Sequence, residues 1–326
     1  MNFFNLLENQ TAQCTLCPNN CVIKTGCSGK CNVRHFDGRE VVNLYAGVIS
    51  SSGLDPIEKK PLYHYKPGSM IFSVGFYGCN LKCGFCQNHH ISSAVPDKTV
   101  NSVKPEVFAE YIISNNIDSV SFTYNEPLIQ YEWLLDTVRI LHAHNISLVL
   151  VTNGYINQAP AEQLIGMIDA VNVDLKAGTN QFYRSVCGGK IEPVKDFIKI
   201  CFNNKVITEV TTLVIPGYND DLANMKSVVD YIGGLSADIP FHISAYHPAH
   251  LFKAPPTPVQ TIREWVKYAE QSLNYVYGGN IAGEQPTLCK KCKSVLVQRN
   301  GYSINIINLQ KNMSCGICGT INYGRF

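Results

Sequence analysis

Met70-Ile71-Phe72-Ser73-Val74-Gly75, an apolar and β-prone run, leads into Gly78-Cys79-Asn80-Leu81-Lys82-Cys83-Gly84-Phe85-Cys86-Gln87-Asn88. The first stretch reads as a strand and the second as the loop at its carboxyl end. Parallel α/β folds keep their active sites at that end of the sheet. Cys79-x3-Cys83-x2-Cys86 offers three thiolates, enough for three irons of a 4Fe-4S cubane, and leaves the fourth iron to an outside molecule. The same thiolates would close a zinc site if His89 or His90 supplied a fourth ligand.

Outward from this pair, β-branched runs alternate with helical patterns. Strands are expected at 70–75, 119–124, 147–152, 170–175, 207–215 and 241–245, with helices at 105–115, 128–144, 161–168, 194–203, 222–233 and 259–273. Six βα units in order predict an α/β fold with a parallel sheet and right-handed crossovers, curled as an incomplete (β/α)6 barrel. A doubly wound open sheet is the alternative. Residues 55–68 carry Pro56, Pro61 and Pro67, which bar a helix and leave an extended connector. Pro255, Pro256 and Pro258 mark a similar break before the last helix.

The chain has 326 residues, room for a barrel-like core of about 200–250 residues with small appendages. Hydrophobic residues make up 45% and charged ones 16%, and the net charge of +2 gives no electrostatic case for nucleic acid. No apolar run reaches the roughly 18–20 residues a bilayer demands, and the start of the chain lacks a basic, apolar leader. A cytoplasmic protein without a membrane or nucleic-acid partner is expected.

Fourteen cysteines in a chain neither small nor secreted read as metal ligands, not disulfides. All but Cys187 and Cys201 fall in three clusters. They divide the chain into a cysteine-rich head at 1–54, the connector at 55–69, the barrel at 70–282 and a zinc-ribbon-like tail at 283–326. In the tail, Cys289-x2-Cys292 and Cys315-x2-Cys318 flank a hairpin-like run at 295–309 and supply the four thiolates of a closed zinc site, with a second Fe-S cluster as the competitor. So short a segment needs such a staple to fold. In the head, Cys14, Cys17, Cys21 and Cys31 form the expected ligand set for zinc or an auxiliary 4Fe-4S cluster, and Cys27 is the spare. Cys187, expected on the loop after the fourth strand, is either a small buried apolar residue or a hydrogen-atom donor or substrate contact.

Asp174 and Lys176 alternate around Leu175, so both side chains leave one face of their strand. Glu126 lies on a turn, in Thr123-Tyr124-Asn125-Glu126-Pro127, and Asn153 follows the strand ending Val151-Thr152.

Cys-x3-Cys-x2-Cys with an aromatic residue, Phe85, before its last cysteine resembles the signature of the radical SAM superfamily. The resemblance implies that S-adenosylmethionine (SAM) binds the open iron and is cleaved reductively to a 5'-deoxyadenosyl radical, with an electron donor such as flavodoxin or ferredoxin. It implies SAM contacts for Phe85, Asn125, Glu126 and Asn153, with Glu126 accepting from the SAM amino group. The Asp-Leu-Lys stretch is similar to that of pyruvate formate-lyase activating enzymes, in which Lys176 would hold the methionine carboxylate and Asp174 lie by the ribose or substrate. Pro216 would lie against the adenine and His242 face the cofactor.

The head motif Cys14-x2-Cys17-Pro18-x2-Cys21, the connector Asp55-Pro56-Ile57-Glu58-Lys59-Lys60-Pro61 and the Tyr-Asn-Glu-Pro segment together resemble the radical SAM member of the AmmeMemoRadiSam system. That implies AMMECR-type and Memo-type proteins as partners; it does not settle the substrate, for which a peptide or protein, as the extra cysteine-rich segments suggest, and a small aromatic compound both stay open. Activation of a glycyl radical enzyme is a second reading. A zinc-rich binding or scaffold protein is the reading from another class.

Overall fold

The computed structural model describes residues 3–96 and 100–326. Its centre is an eight-stranded sheet whose order follows the chain: β1 (Ser51–Pro56), β2 (Met70–Gly75), β3 (Ser119–Phe122), β4 (Ser147–Thr152), β5 (Ala170–Asp174), β6 (Ile207–Val214), β7 (Phe241–Ala245) and β8 (Val276–Gly279). From β2 to β8 all neighbours are parallel, while β1 pairs antiparallel with β2. A doubly wound sheet reverses its strand order at a switch point. This order never reverses, and the outer strands β1 and β8 do not pair with each other, so the sheet is an incomplete barrel.

The helices α1 (Pro105–Ser114), α2 (Tyr131–Ala143), α3 (Gln158–Ile165), α4 (Glu192–Asn203), α5 (Leu222–Leu235) and α6 (Val259–Ala269) follow β2 to β7 in turn. Pro105 opens α1 where a missing N–H costs nothing, and Asp221 caps α5 by accepting from Asn224 N at 2.8 Å. Two strands of this sheet go beyond the sequence reading, as do the two small three-stranded sheets of the head. β8 is four residues long and ends in two glycines, too brief a pattern to stand out, and β1 ends at Pro56, which an edge strand tolerates. Within the connector, barred from helix by its prolines, Ile57–Lys59 still makes one 3-10 turn.

The two faces of the sheet differ in character. Val74, Val120, Phe122, Leu148, Leu150, Val171 and Val173 join the main apolar core. The opposite face carries a small apolar cluster, Ile71, Val149, Ala170 and Ile207 with Ile57, Leu62 and Tyr65, and beside it polar residues: Ser73 pairs in register with Ser121, Asn172 with Glu209, Asp174 with Thr211 and Thr211 with His242. The amino-terminal mouth of this polar interior is filled by the segment after β1, where Asn172 Nδ2 donates to Pro61 O at 2.8 Å and His64 N donates to Glu209 Oε1 at 2.7 Å. The loops after β2, β3, β4 and β5 all leave from the opposite rim. No helix among the described residues is long and apolar enough to cross a membrane.

Candidate active site

The loop carrying Cys79, Cys83 and Cys86 is held from several sides. Asn125 accepts from Phe76 N at 3.0 Å and donates to Gly78 O at 2.8 Å. Asn80 Nδ2 donates to Tyr155 O at 2.6 Å, and Asn153 Nδ2 donates to Asn80 Oδ1 at 3.0 Å. Gly78 has φ +84°, and a Cβ there would meet Cys31 O at 2.7 Å, so the approach to Cys79 requires glycine. Lys82 N and Gly84 N donate to the carbonyls of Cys187 and Val186 at 2.8 and 3.3 Å, which bind the far side of the loop.

The sulfurs meet donors. Asn153 Nδ2 and Leu81 N each lie 3.5 Å from Cys79 Sγ, and Ser92 Oγ lies 3.5 Å from Cys86 Sγ. Burial pushes the Cys79 and Cys86 thiols up, and the neighbouring Cys187 thiol, then burial, raises Cys83. Such thiols keep their protons until a cationic metal centre displaces them. Three half-buried cysteines on one loop, with donors aimed at sulfur, fit an Fe-S cluster. His89 is taken up elsewhere: its ring stacks on His250 at 4.6 Å and its Nδ1 lies 3.3 Å from Cys86 O.

Lys176 stands over this loop. Its Nζ pairs with Asp174 Oδ2 at 2.9 Å and lies 5.8 Å from the Phe85 ring centroid, and the Asp174 side chain is 39% exposed. Burial alone would lower Lys176, but the Asp174 carboxylate holds it well above its ordinary value, so the ammonium stays charged. Phe85 is buried between Phe182 and Phe252 at 6.1 and 5.8 Å.

Glu126 points into the protein. Its Oε1 accepts from Leu128 N at 2.9 Å and Thr152 Oγ1 at 2.7 Å, and its Oε2 accepts from Asn153 N at 2.7 Å. Burial pushes its carboxyl up to about 7 against the pull of these donors. Cys187 ends a π-helical turn, Tyr183–Cys187, and is fully buried beside Cys83.

The structure thus gathers Phe85, Asn125, Asn153, Lys176 and Cys187 around the cysteine loop, with Glu126 behind Asn153. His242 is not in this group: its Nε2 pairs with the buried Glu209 at 2.7 Å, and its ring stacks on Tyr277 at 5.2 Å inside the barrel. Pro216 sits half-buried just past the end of β6. Sequence reasoning missed Asn80, Asn219 and Tyr183. Asn219 Nδ2 donates to Lys176 O at 2.8 Å, and Tyr183 Oη accepts from Lys176 N at 3.0 Å, so both position the lysine backbone. Buried asparagines at strand ends were the available signal.

The other cysteines form two further sets. In the tail, all four sulfurs lie within 4.8 Å of one another, with Cys289 and Cys318 at 3.6 Å and Cys292 and Cys315 at 3.7 Å, flanking the hairpin Val295–Asn300 and Ser303–Ile306. A tetrahedron with bonds of about 2.3 Å has edges of about 3.8 Å, so the sulfur spacing of this zinc-ribbon-like module is consistent with one tetrahedrally held metal ion. In the head, Cys14, Cys17, Cys21 and Cys31 line a common cavity with Arg34, while Cys27 is exposed.

Residues 73–227 match the Radical SAM superfamily. Uncharacterized protein MJ0808 of Methanocaldococcus jannaschii is 36% identical over 97% of this chain and 96% of its own length. Pyruvate formate-lyase 1-activating enzyme of Escherichia coli is 25% identical over 46% of this chain and 63% of that enzyme. The solved structure of Streptococcus suis SuiB bound to S-adenosylmethionine has a TM-score of 0.52 at 14% identity, covering 64% of this chain and 52% of that one, a likeness of fold alone.

Proposed function

The chain belongs to the radical SAM superfamily, and from that premise we propose that Cys79, Cys83 and Cys86 hold a 4Fe-4S cluster at which SAM is cleaved reductively. When bound, the cluster and SAM supply a 5'-deoxyadenosyl radical that takes a hydrogen atom from the substrate. The observation that carries this reading is the three-cysteine loop at the barrel rim beneath a charged, partly buried lysine.

The protein's own residues supply binding and shape. Lys176 holds the methionine carboxylate by a charge-assisted hydrogen bond, and Asp174, the more exposed partner, is free to meet the ribose or substrate. Asn125 and Asn153 fix the loop that presents the thiols, and Glu126 fixes Asn153. Phe85, packed between two phenylalanines, excludes water from the floor beneath the lysine. Within the superfamily, the long head and connector pattern supports the AmmeMemoRadiSam branch, with AMMECR-type and Memo-type partners and a peptide or protein substrate. The reductant is a flavodoxin-like or ferredoxin-like donor.

Anaerobic reconstitution followed by dithionite should yield 5'-deoxyadenosine and methionine, and Cys83→Ala should abolish both. Neither product from fully loaded wild-type protein would end the reading. Similarity to pyruvate formate-lyase 1-activating enzyme favours a second reading, activation of a glycyl radical partner. That reading requires an electron paramagnetic resonance doublet on the partner after turnover.

A further inference from the structure

The head and the tail each bring four cysteines together, and their spacings differ. Among the described residues, only the tail quartet has every sulfur within 4.8 Å of the others, the spacing a single ion requires. The head quartet shares one cavity without that convergence. We propose that Cys14, Cys17, Cys21 and Cys31 hold an auxiliary 4Fe-4S cluster, not zinc. In such a cluster each thiolate binds its own iron, so the sulfurs stand farther apart than the roughly 3.8 Å edge of a tetrahedral zinc site.

The cavity is built for a buried anion. Arg34, 2% exposed, lines it; its Nη1 pairs with Glu132 Oε2, while its Nε and Nη2 have no hydrogen-bond partner in the protein. Two unpartnered donors on a buried guanidinium are costly unless something in the cavity accepts from them. Cluster sulfides and cysteine sulfurs are such acceptors, and the cluster's negative charge answers the guanidinium. Further donors already face sulfur: Lys30 N lies 3.4 Å from Cys21 Sγ and Arg34 N lies 3.4 Å from Cys31 Sγ. Leu16, Ile23 and Ile129 supply apolar wall. The guanidinium explains why an anionic metal centre belongs here, and the spacing selects which one. On loading, each thiol gives up its proton to solvent as its sulfur binds iron.

Cys27 is outside the set. It is exposed on the short strand Cys27–Ser28, where it pairs with Phe36 and does not reach the cavity. The head site is nonetheless close to the radical loop: Asn19, two residues after Cys17, donates to Asn80 O at 2.7 Å, beside Cys79.

The test uses the full chain, reconstituted anaerobically with ferrous iron and sulfide, and does not depend on SAM cleavage. A variant carrying Cys79→Ala, Cys83→Ala and Cys86→Ala should retain about four irons and four acid-labile sulfides per chain, with about one zinc. Adding Cys17→Ser should remove that iron, and Cys27→Ser should not. A triple variant without iron, whether it holds zinc in the head or nothing, overturns the proposal, as does loss of iron on Cys27→Ser. Should the triple variant fail to fold, Cys17→Ser in the wild-type background decides: a loss of about four irons per chain relative to wild type supports the proposal, and unchanged iron overturns it. Arg34→Met should lower the reduction potential of the retained cluster, because removing a buried positive charge disfavours the added electron; an unchanged potential would remove the guanidinium from the site. If the Cys79 loop is not a cluster site, the irons of wild type and triple variant will be equal, which separates the two readings.

Discussion

Glu126, 1% exposed, commits both carboxylate oxygens to protein donors, Leu128 N in the 3-10 turn that follows it and Thr152 and Asn153 at the end of β4. Glu126→Ala would strand two backbone N–H groups and the Thr152 hydroxyl in the interior, at a cost on the order of 3 kcal/mol, measured as a shift in the urea midpoint. Glu126→Gln should also destabilise, because its amide nitrogen would face a donor; equal stability for wild type and Gln would sink this account. Lys176 is tested through binding. Lys176→Met removes the ammonium but keeps the apolar stem, so the dissociation constant for SAM should rise about tenfold to a hundredfold while iron content holds. Equilibrium dialysis against loaded protein reads the difference, and unchanged affinity would take Lys176 out of the SAM site. The sequence marked both residues because a carboxylate and a lysine at strand ends stand out among apolar neighbours. It could not show that Glu126 faces inward, since that depends on Thr152 and Asn153 in a different strand.

At the scale of elements, the strands and helices of the barrel were legible because each carries its own apolar period, whereas the path of the segment after β1 was not. Three prolines showed that it is no long helix, but its partners lie far along the chain: Pro61 O binds Asn172, and His64 N binds Glu209. His64 is wholly enclosed there, with Nδ1 2.8 Å from Tyr323 O and Nε2 2.6 Å from Tyr277 Oη. The carbonyl assigns the proton to Nδ1, so Nε2 accepts from the tyrosine in the neutral ring. Burial lowers His64 to about 4, well under its ordinary 6.5. The unfolded chain therefore binds a proton that the folded one refuses between these values. The stability linked to His64 is complete above pH 6.5 and is lost as pH falls toward 4, by about 3 kcal/mol at most. Glu209, which burial would raise, is held low by its bond to His242, so its own loss begins below its ordinary 4.5 and carries the decline further. His64→Gln keeps a donor and an acceptor but does not titrate, so its denaturation midpoint should change less between pH 7 and pH 5 than that of wild type. Parallel profiles would place the titration elsewhere.

Across the whole molecule, the tail closes the mouth of the barrel opposite the cysteine rim. Arg299, 1% exposed, reaches from the ribbon hairpin to donate to Tyr63 O at 2.6 Å, with its guanidinium 4.5 Å over the Tyr63 ring. The chain end follows, with Tyr323 O against His64, Arg325 N donating to His64 O at 2.8 Å, and Tyr323 Oη accepting from Thr208 N at 2.8 Å. Few apolar side chains hold the ribbon itself: its own core is Leu296, Val297, Leu309 and Met313 with its cysteines. A metal held by its four sulfurs would then order the ribbon, and with it the plug of the barrel. Cys315→Ser with Cys318→Ser should release the zinc and free Arg299 and Tyr323 from the barrel floor, at about 3 kcal/mol to the barrel. That corresponds to a fall of roughly 5–10 °C in the main calorimetric transition. The Cys79 loop lies on the other rim, so its iron content should survive at low temperature. A main transition that stays in place after the zinc is gone would show the barrel to be closed by its own connector, with the ribbon only resting against it.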